Sequence, residues 1–165
     1  MTQKITTFLT YKTGAEDAAK LYTSLFKNSR INDISKYPTD APGVKSGAVM
    51  TVAFTLDGQD FVALNGGDSF SFAEGISLSV RAETQEEIDK LTDSLIAGGG
   101  TEGPCGWVTD RFGVSWQINP RVLGEMIIEP DREKASRVMQ AMMTMKRIKI
   151  ADLKRAYEGK TPAKV

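Results

Sequence analysis

The side chains that most often carry chemistry near neutral pH are almost missing: the 165 residues contain no histidine and one cysteine, Cys105. Imidazole and thiolate are the usual transition-metal ligands, and imidazole is the usual proton shuttle. Any catalyst here must therefore use Asp, Glu, Tyr, Lys or Cys with a pKa moved by burial, and Glu74 and Tyr11 are the nearest candidates. Cys105 sits between Pro104 and Gly106, beside Trp107. Without an imidazole base it would need a lysine, an arginine or a helix N-terminus to become a nucleophile, so a buried, inert thiol is the favoured reading. Asp110 and Arg111 could act as acid and clamp, yet they occupy a tight turn, where aspartate commonly bonds the backbone. Asn65-Gly66-Gly67-Asp68 could bring amides to an anion, but no P-loop lysine or helix-opening glycine motif accompanies it, and a turn accounts for it. Lys146-Arg147-Ile148-Lys149 is a basic run that a solvated link between helices explains.

The elements that must position these residues form a weak internal repeat. Residues 5–11 are β-branched and aromatic and read as a strand. Ala15, Ala18, Ala19, Tyr22, Leu25 and Phe26 then make one apolar helical stripe. Strands follow at 31–37, 47–56 and 59–65, the last two joined by the hairpin signal Asp57-Gly58. The second half repeats this βαβββ order. Ile76, Leu78 and Val80 alternate with Ser77 and Ser79, so one strand face is wet or lines a pocket. Thr84-Gln85-Glu86-Glu87 fits a capping box, and Ile88, Leu91, Leu95 and Ile96 supply a helical stripe ending at Gly98-Gly99-Gly100. Short strands are expected near 101–103, 106–110 and 114–119. Beyond Pro120 only helix is expected, starting at Pro130-Asp131, with Ala135, Val138, Met139, Met142 and Met145 on an apolar face. A second helix spans Ile150 to Tyr157 and stops at Gly159. This tail is either a lid on its own domain or an arm on a neighbour, and its methionines suit either packing.

Composition is that of an ordinary globular chain, 41% hydrophobic and 25% charged, long enough to bury a sizeable core. Twenty-one basic side chains balance 21 acidic ones, which gives no overall bias toward nucleic acid or an anionic membrane. One cysteine excludes an intrachain disulfide. The N-terminal stretch lacks the long apolar run of a signal peptide, and no window approaches a membrane span. A cytoplasmic protein is expected.

Three segments carry a family resemblance. Ala18-Ala19-Lys20-Leu21-Tyr22-Thr23-Ser24-Leu25-Phe26 resembles the first-helix signature, and Asp110-Arg111-Phe112-Gly113-Val114-Ser115-Trp116-Gln117-Ile118 the closing hairpin, of the vicinal oxygen chelate (glyoxalase/bleomycin-resistance/dioxygenase) superfamily. The run Asp57 to Gly67, Cys105-Gly106-Trp107 and the tail Asp131 to Met143 resemble its PhnB-like branch, which carries the label 3-demethylubiquinone-9 3-methyltransferase-like. The resemblance covers almost the whole chain, tail included. It implies an α+β fold: tandem βαβββ units forming curved mixed sheets, the glyoxalase/bleomycin-resistance fold, with a C-terminal helical extension. The domain is expected over 1–120, with repeats at about 4–67 and about 74–120, and the extension over 121–165.

Metal-using members of the superfamily imply ligands at positions that here hold Thr7 or Phe8, Ser77 or Ser79, and Gln117. None of these is an imidazole, thiolate or carboxylate, so no metal and no other cofactor are expected. The cavity implied by the fold would be lined by Phe8, Thr10, Ser77, Ser79, Trp107, Trp116 and Gln117, apolar walls with a few orienting polar groups. The leading expectation is a homodimeric protein that binds a small organic molecule there, with no nucleic-acid or membrane partner. The alternative is an enzyme on a small oxygenated or quinone-like substrate, a lyase, an isomerase or the methyltransferase of the family label. A methyl-donor site usually has a glycine-rich loop after the first strand, and none follows residues 5–11.

Overall fold

β-branched and aromatic residues favour extended backbone, and Thr7–Tyr11 forms the first strand, β1, of the computed structural model, which describes residues 5–40, 43–73 and 75–160. The chain divides into two compact units, residues 1–72 and 73–165. In the first, β1 leads to α1 (Ala15–Leu25), then β2 (Arg30–Lys36), β3 (Val49–Leu56) and β4 (Gln59–Asn65). The sheet order is β1-β4-β3-β2, with β1 parallel to β4 and the other pairs antiparallel. Parallel neighbours need a long crossover, and this one carries α1 over one face, against β3 and β4. Ala15, Ala18, Ala19 and Tyr22 are the helix's buried stripe, and Val52, Phe54, Phe61 and Ala63 are the buried strand residues. The three alanines let the helix approach closely. Tyr22 is tilted against Phe54 at 6.3 Å, and Phe54 stacks on Phe61 at 5.5 Å.

Asp57 and Gly58 both take positive φ, 44° and 82°, the geometry of the tight hairpin turn that matches strand twist. The glycines after β4 serve a turn too. Gly66 donates its N–H to the Tyr11 carbonyl at 2.8 Å, and Asp68 pairs with Lys12 at the surface. Asn65 ties this corner together. Its Oδ1 accepts from the Ala15 N–H at 2.9 Å, its Nδ2 donates to the Val49 carbonyl at 3.0 Å, and its own carbonyl accepts from the Tyr37 hydroxyl at 2.7 Å. The residue before α1 is Gly14, which offers no side-chain cap, so a strand end supplies the acceptor that helix starts require.

The second unit repeats the plan with β5 (Leu78–Ala82), α2 (Gln85–Ile96), β6 (Thr101–Glu102), β7 (Trp107–Thr109) and β8 (Ser115–Pro120), ordered β5-β8-β7-β6 with β5 parallel to β8. The expected capping box is present in modified form. Thr84 Oγ1 accepts from the Glu87 N–H at 3.1 Å, while the Glu87 carboxylate reaches back to the N–H of Glu83 at 2.7 Å. Three helices follow: α3 (Arg121–Ile127), α4 (Arg132–Met143) and α5 (Ile150–Tyr157). The last two match the expected positions. Asp131 caps α4 by accepting from the N–H groups of Glu133 and Lys134 at 3.1 and 3.2 Å, bonds that hold its carboxyl below the ordinary value, the Lys134 bond most. The sequence did not announce α3, which is seven residues long, contains Gly124 and has no side-chain cap.

The extension folds against its own unit. Leu123, Met126, Val138, Ile148 and Leu153 form a buried cluster with Met142 and Met145 at its margin; full burial of such a side chain contributes about 1.5–3 kcal/mol. Met139 and Met143 instead face outward, 37% and 65% exposed, which corrects the expected apolar face at Met139. Gln85 grips the extension twice, donating to the Ile148 carbonyl at 3.0 Å and accepting from the Ile150 N–H at 2.9 Å. The N–H groups of Cys105 and Gly106 donate to the Met145 and Lys146 carbonyls at 2.8 and 2.7 Å. Gly106 has φ +79°, and a Cβ there would lie 2.7 Å from Asn119 Oδ1 and 2.8 Å from the Ile118 carbonyl, so the contact needs glycine.

Replacing Asn65 by Ala leaves a helix-start N–H and a strand carbonyl without their partners, a loss of about 1–3 kcal/mol. Amide hydrogen exchange at Ala15 and along α1 should accelerate in Asn65→Ala and less in Asn65→Asp, which keeps the acceptor. Unchanged exchange in both would show that Asn65 does not hold this corner.

Candidate functional site

Alternation along a strand sends neighbouring side chains to opposite faces, and each sheet has one face under its helix and one without. In the first unit Leu9 and Tyr11 are buried on the helix side, while Phe8 and Thr10 lie on the other. Register places Phe8 beside Val62 and Thr10 beside Leu64, with Ala53 opposite Val62 and Thr51 opposite Leu64. Phe8 is 56% exposed. The helix-free face also carries polar links that the sequence reading passed over: Asn32 Nδ2 donates to Thr55 Oγ1 at 2.9 Å, Thr55 donates on to Asp60 Oδ1 at 2.7 Å, and the Ser35 and Thr51 hydroxyls share a bond of 2.6 Å. The visible signal was the alternation of Thr51, Ala53 and Thr55 with Val52 and Phe54.

In the second unit the helix-free face brings Ser79 beside Gln117 and Gln117 opposite Trp107. Gln117 Nε2 donates to Ser77 Oγ at 2.8 Å. Ser77, Ser79, Trp107 and Gln117 therefore share one face, as Phe8 and Thr10 share theirs. Trp116 does not join them. It lies one residue out of phase and is 1% exposed, and its indole N–H donates to Asp110 Oδ2 at 2.9 Å. It is a core side chain, not a wall of that face; hairpin geometry had hidden the phase.

Asp110, 3% exposed, is fixed by the turn. Its Oδ1 accepts from the N–H groups of Phe112 and Val114 at 2.9 and 3.0 Å in addition to the Trp116 bond. A carboxylate with three donors is well solvated by the protein and poorly placed to serve as a base. Arg111 stacks on the Phe112 ring, 4.6 Å from its centre, instead of clamping a ligand. Cys105 is half-buried at φ 57°, so the expectation of a buried thiol is corrected to a partly exposed one. Tyr11 is buried, donating its hydroxyl to Tyr22 at 3.3 Å with its ring edge-on to Phe72. Glu74 lies outside the described residues.

At the positions where the superfamily resemblance implies ligands, the second unit offers two hydroxyls and an amide, all neutral, with the amide nitrogen already committed to Ser77, and Arg81, two residues beyond Ser79 on the same strand face, adds a cation. Such groups do not fit a zinc, iron or manganese centre. Among the described residues no group of three or more His, Cys, Asp or Glu side chains is gathered where it could hold a metal ion.

Elsewhere in the second unit the basic run is not merely a solvated link. Arg147 donates to Glu102 through Nε at 3.0 Å and again through Nη2, to Asp93 at 2.6 Å, and lies 3.4 Å from Asp89. Burial alone would lower the guanidinium pKa, but the bonds from Asp93 and Glu102 outweigh it and raise it. These partners are 45 to 58 residues away in the chain, so no local pattern announced them. Beside Arg147 lies a cavity of about 800 Å³ whose walls come from Glu102, α4, the α4–α5 link, α5 and the two residues Gly159 and Lys160 after it. None of the residues expected to form a pocket lines it.

Two βαβββ units, each with its first and last strands parallel under a single helix, define a glyoxalase-type fold of the vicinal oxygen chelate superfamily. The model of the family described as 3-demethylubiquinone-9 3-methyltransferase matches residues 3–119. The chain belongs to that family, in its PhnB-like branch. A solved structure described as a putative 3-demethylubiquinone-9 3-methyltransferase, PhnB protein, from Bacillus cereus is 40% identical, covering 72% of this chain and 99% of its own, with a TM-score of 0.63. A protein from Staphylococcus aureus is 36% identical over 73% of this chain and 97% of its own, with a TM-score of 0.33, a likeness of sequence. Protein PA1353 from Pseudomonas aeruginosa is 19% identical over 72% of this chain and 98% of its own, with a TM-score of 0.59, a likeness of fold alone. No curated protein matches the chain. The family match ends before α3, so the tail segment Asp131 to Met143, read from sequence as part of the resemblance, lies outside it.

The two tryptophans should respond unequally to replacement by phenylalanine. Trp116→Phe leaves Asp110 Oδ2 without its indole donor in a buried site and should cost about 1–3 kcal/mol in urea unfolding. Trp107→Phe, at a half-buried position, should cost less than about 1 kcal/mol. Equal losses would contradict the separation of faces described above.

Proposed function

We propose that this protein binds a small organic molecule on the helix-free faces of its sheets without recruiting a metal, in the cytoplasm and as a homodimer. The observation that carries the reading is the Gln117 Nε2–Ser77 Oγ bond. At a position where metal-using members of the superfamily place a carboxylate, this chain holds a neutral amide, oriented by a hydroxyl. Trp107 and Ser79 beside it give that face an apolar wall with a few polar groups to fix a ligand's orientation, and the first unit's helix-free face carries its own such pair, Phe8 and Thr10. The free thiol accords with a reducing compartment. Among the described residues no helix is long and apolar enough to cross a membrane.

The second reading is catalysis on a quinone-like or small oxygenated substrate, favoured by the description of the matching family and of the Bacillus cereus protein. Against methyl transfer from a nucleotide-type donor, β1 runs through Lys12, Thr13 and Gly14 directly into α1, with no glycine-rich loop.

Elemental analysis and calorimetric titration with zinc, iron, nickel and manganese should find less than stoichiometric metal in protein purified without a tag; stoichiometric metal would overturn the reading. In thermal-shift measurements small oxygenated aromatics such as 2-methoxyphenol should stabilise the wild type more than Gln117→Ala or Trp107→Ala, because a ligand well above its dissociation constant raises stability. S-adenosylmethionine should leave the transition unmoved, and a shift with it would favour the methyltransferase.

A further inference from the structure

The cavity in the helical extension lies beyond the residues the family model matches, apart from Glu102 at its edge. Its charge is unlike that of the chain as a whole, where 21 basic and 21 acidic side chains cancel. Five cationic side chains line it against two carboxylates, Glu102 and Asp152. Asp152 is paired with Arg155, and Glu102 shares Arg147 with Asp93 and Asp89, neither of which lines the cavity.

The cations are not equivalent. Arg137 is engaged with the end of α5, its Nε and Nη2 donating to the carbonyls of Ala156 and Tyr157 at 2.9 and 3.0 Å. Arg147 is held by its carboxylates, and Lys160 pairs with Glu158 at 2.7 Å. Among the described residues no carboxylate lies within ion-pairing distance of Lys146 or Lys149. Two lysines with no carboxylate partner among the described residues therefore line a cavity whose remaining wall includes Ala141, Met145 and Ala156.

An ammonium is a compact charge with three rotatable donors and no fixed fork, which suits the oxygens of a phosphoryl group better than it selects a planar carboxylate. The volume, about 800 Å³, is in the range that holds a molecule of nucleotide size. We propose that this cavity binds an organic phosphate, its phosphoryl group held by Lys146 and Lys149 and its organic part lying against Ala141, Met145 and Ala156. The Arg147 clasp fixes the link that carries both lysines, so the site is built by the docking of the extension.

The test is amide chemical-shift titration of the full chain with adenosine monophosphate, inorganic phosphate and adenosine as separate probes. Adenosine monophosphate should perturb signals within residues 137–160 and bind more tightly than either fragment. Lys146→Gln/Lys149→Gln should weaken it by about tenfold or more, with circular dichroism unchanged, whereas Lys12→Gln/Lys36→Gln, removing two charges from the first unit, should not. Perturbations scattered over the chain, equal weakening by both double variants, or adenosine binding as tightly as its phosphate would each overturn the site. Inorganic phosphate binding as tightly as adenosine monophosphate would overturn the role given to the apolar wall.

Discussion

Each unit depends on seating its first strand parallel to its last. An antiparallel pair can be closed by a two-residue turn, but a parallel pair cannot, so the chain must cross over the sheet before it returns. In both units that crossover is a helix laid on one face, and the other two strands are added by antiparallel pairing as the chain comes back. One face is thereby dry and filled with Ala, Tyr, Phe, Ile and Leu, while the other is left for partly polar side chains. The separation of core from candidate site follows from this topology and not from any catalytic residue. It also explains why Asn65 matters: the strand that returns beside β1 ends next to the start of α1, where Gly14 offers nothing to the first helical N–H.

Much of this was legible because it is local. The stripe from Ala15 to Tyr22, the left-handed pair Asp57-Gly58, the Thr84 cap and the α5 span Ile150–Tyr157 are written in neighbouring residues, and the structure holds them within a residue or two. What failed was less local. Strand phase through a tight hairpin cannot be counted reliably, and Trp116 fell on the wrong face by one residue. The helix α3 has neither a cap nor a long stripe, so it forms where packing of Leu123 and Met126 permits, as short helices generally do. Arg147 looked like one member of a basic run because its three carboxylates are far away in sequence.

The carboxylate nearest the closing hairpin bears on the chemistry left to this chain. Asp110 is buried, and an isolated buried carboxylate is costly, yet here it receives two backbone N–H groups and an indole N–H. Those donors satisfy it, lock the turn between β7 and β8, and orient Trp116. They also remove it as a free ligand or base. On the face across from Trp116, Gln117, Ser77 and Ser79 offer amide and hydroxyl groups, which orient a molecule by hydrogen bonds without changing their own charge.

The extension divides its cations in a similar way. Where guanidinium groups are engaged they do structural tasks that their geometry suits: Arg137 spans two carbonyls at the end of α5, where a positive charge also complements the helix dipole, and Arg147 bridges carboxylates from α2 and β6. Neighbouring lysines, with flexible stems and single strongly hydrated charges, have no carboxylate partner among the described residues and line the cavity. Had Arg147 been unpaired and the lysines been paired, the same basic run would present a planar fork to solvent, and the extension would be held only by Gln85, the Cys105 and Gly106 N–H groups and its apolar cluster. Acid groups placed 45 to 58 residues earlier in the chain thus decide which member of the run is structural and which remain available to an anion.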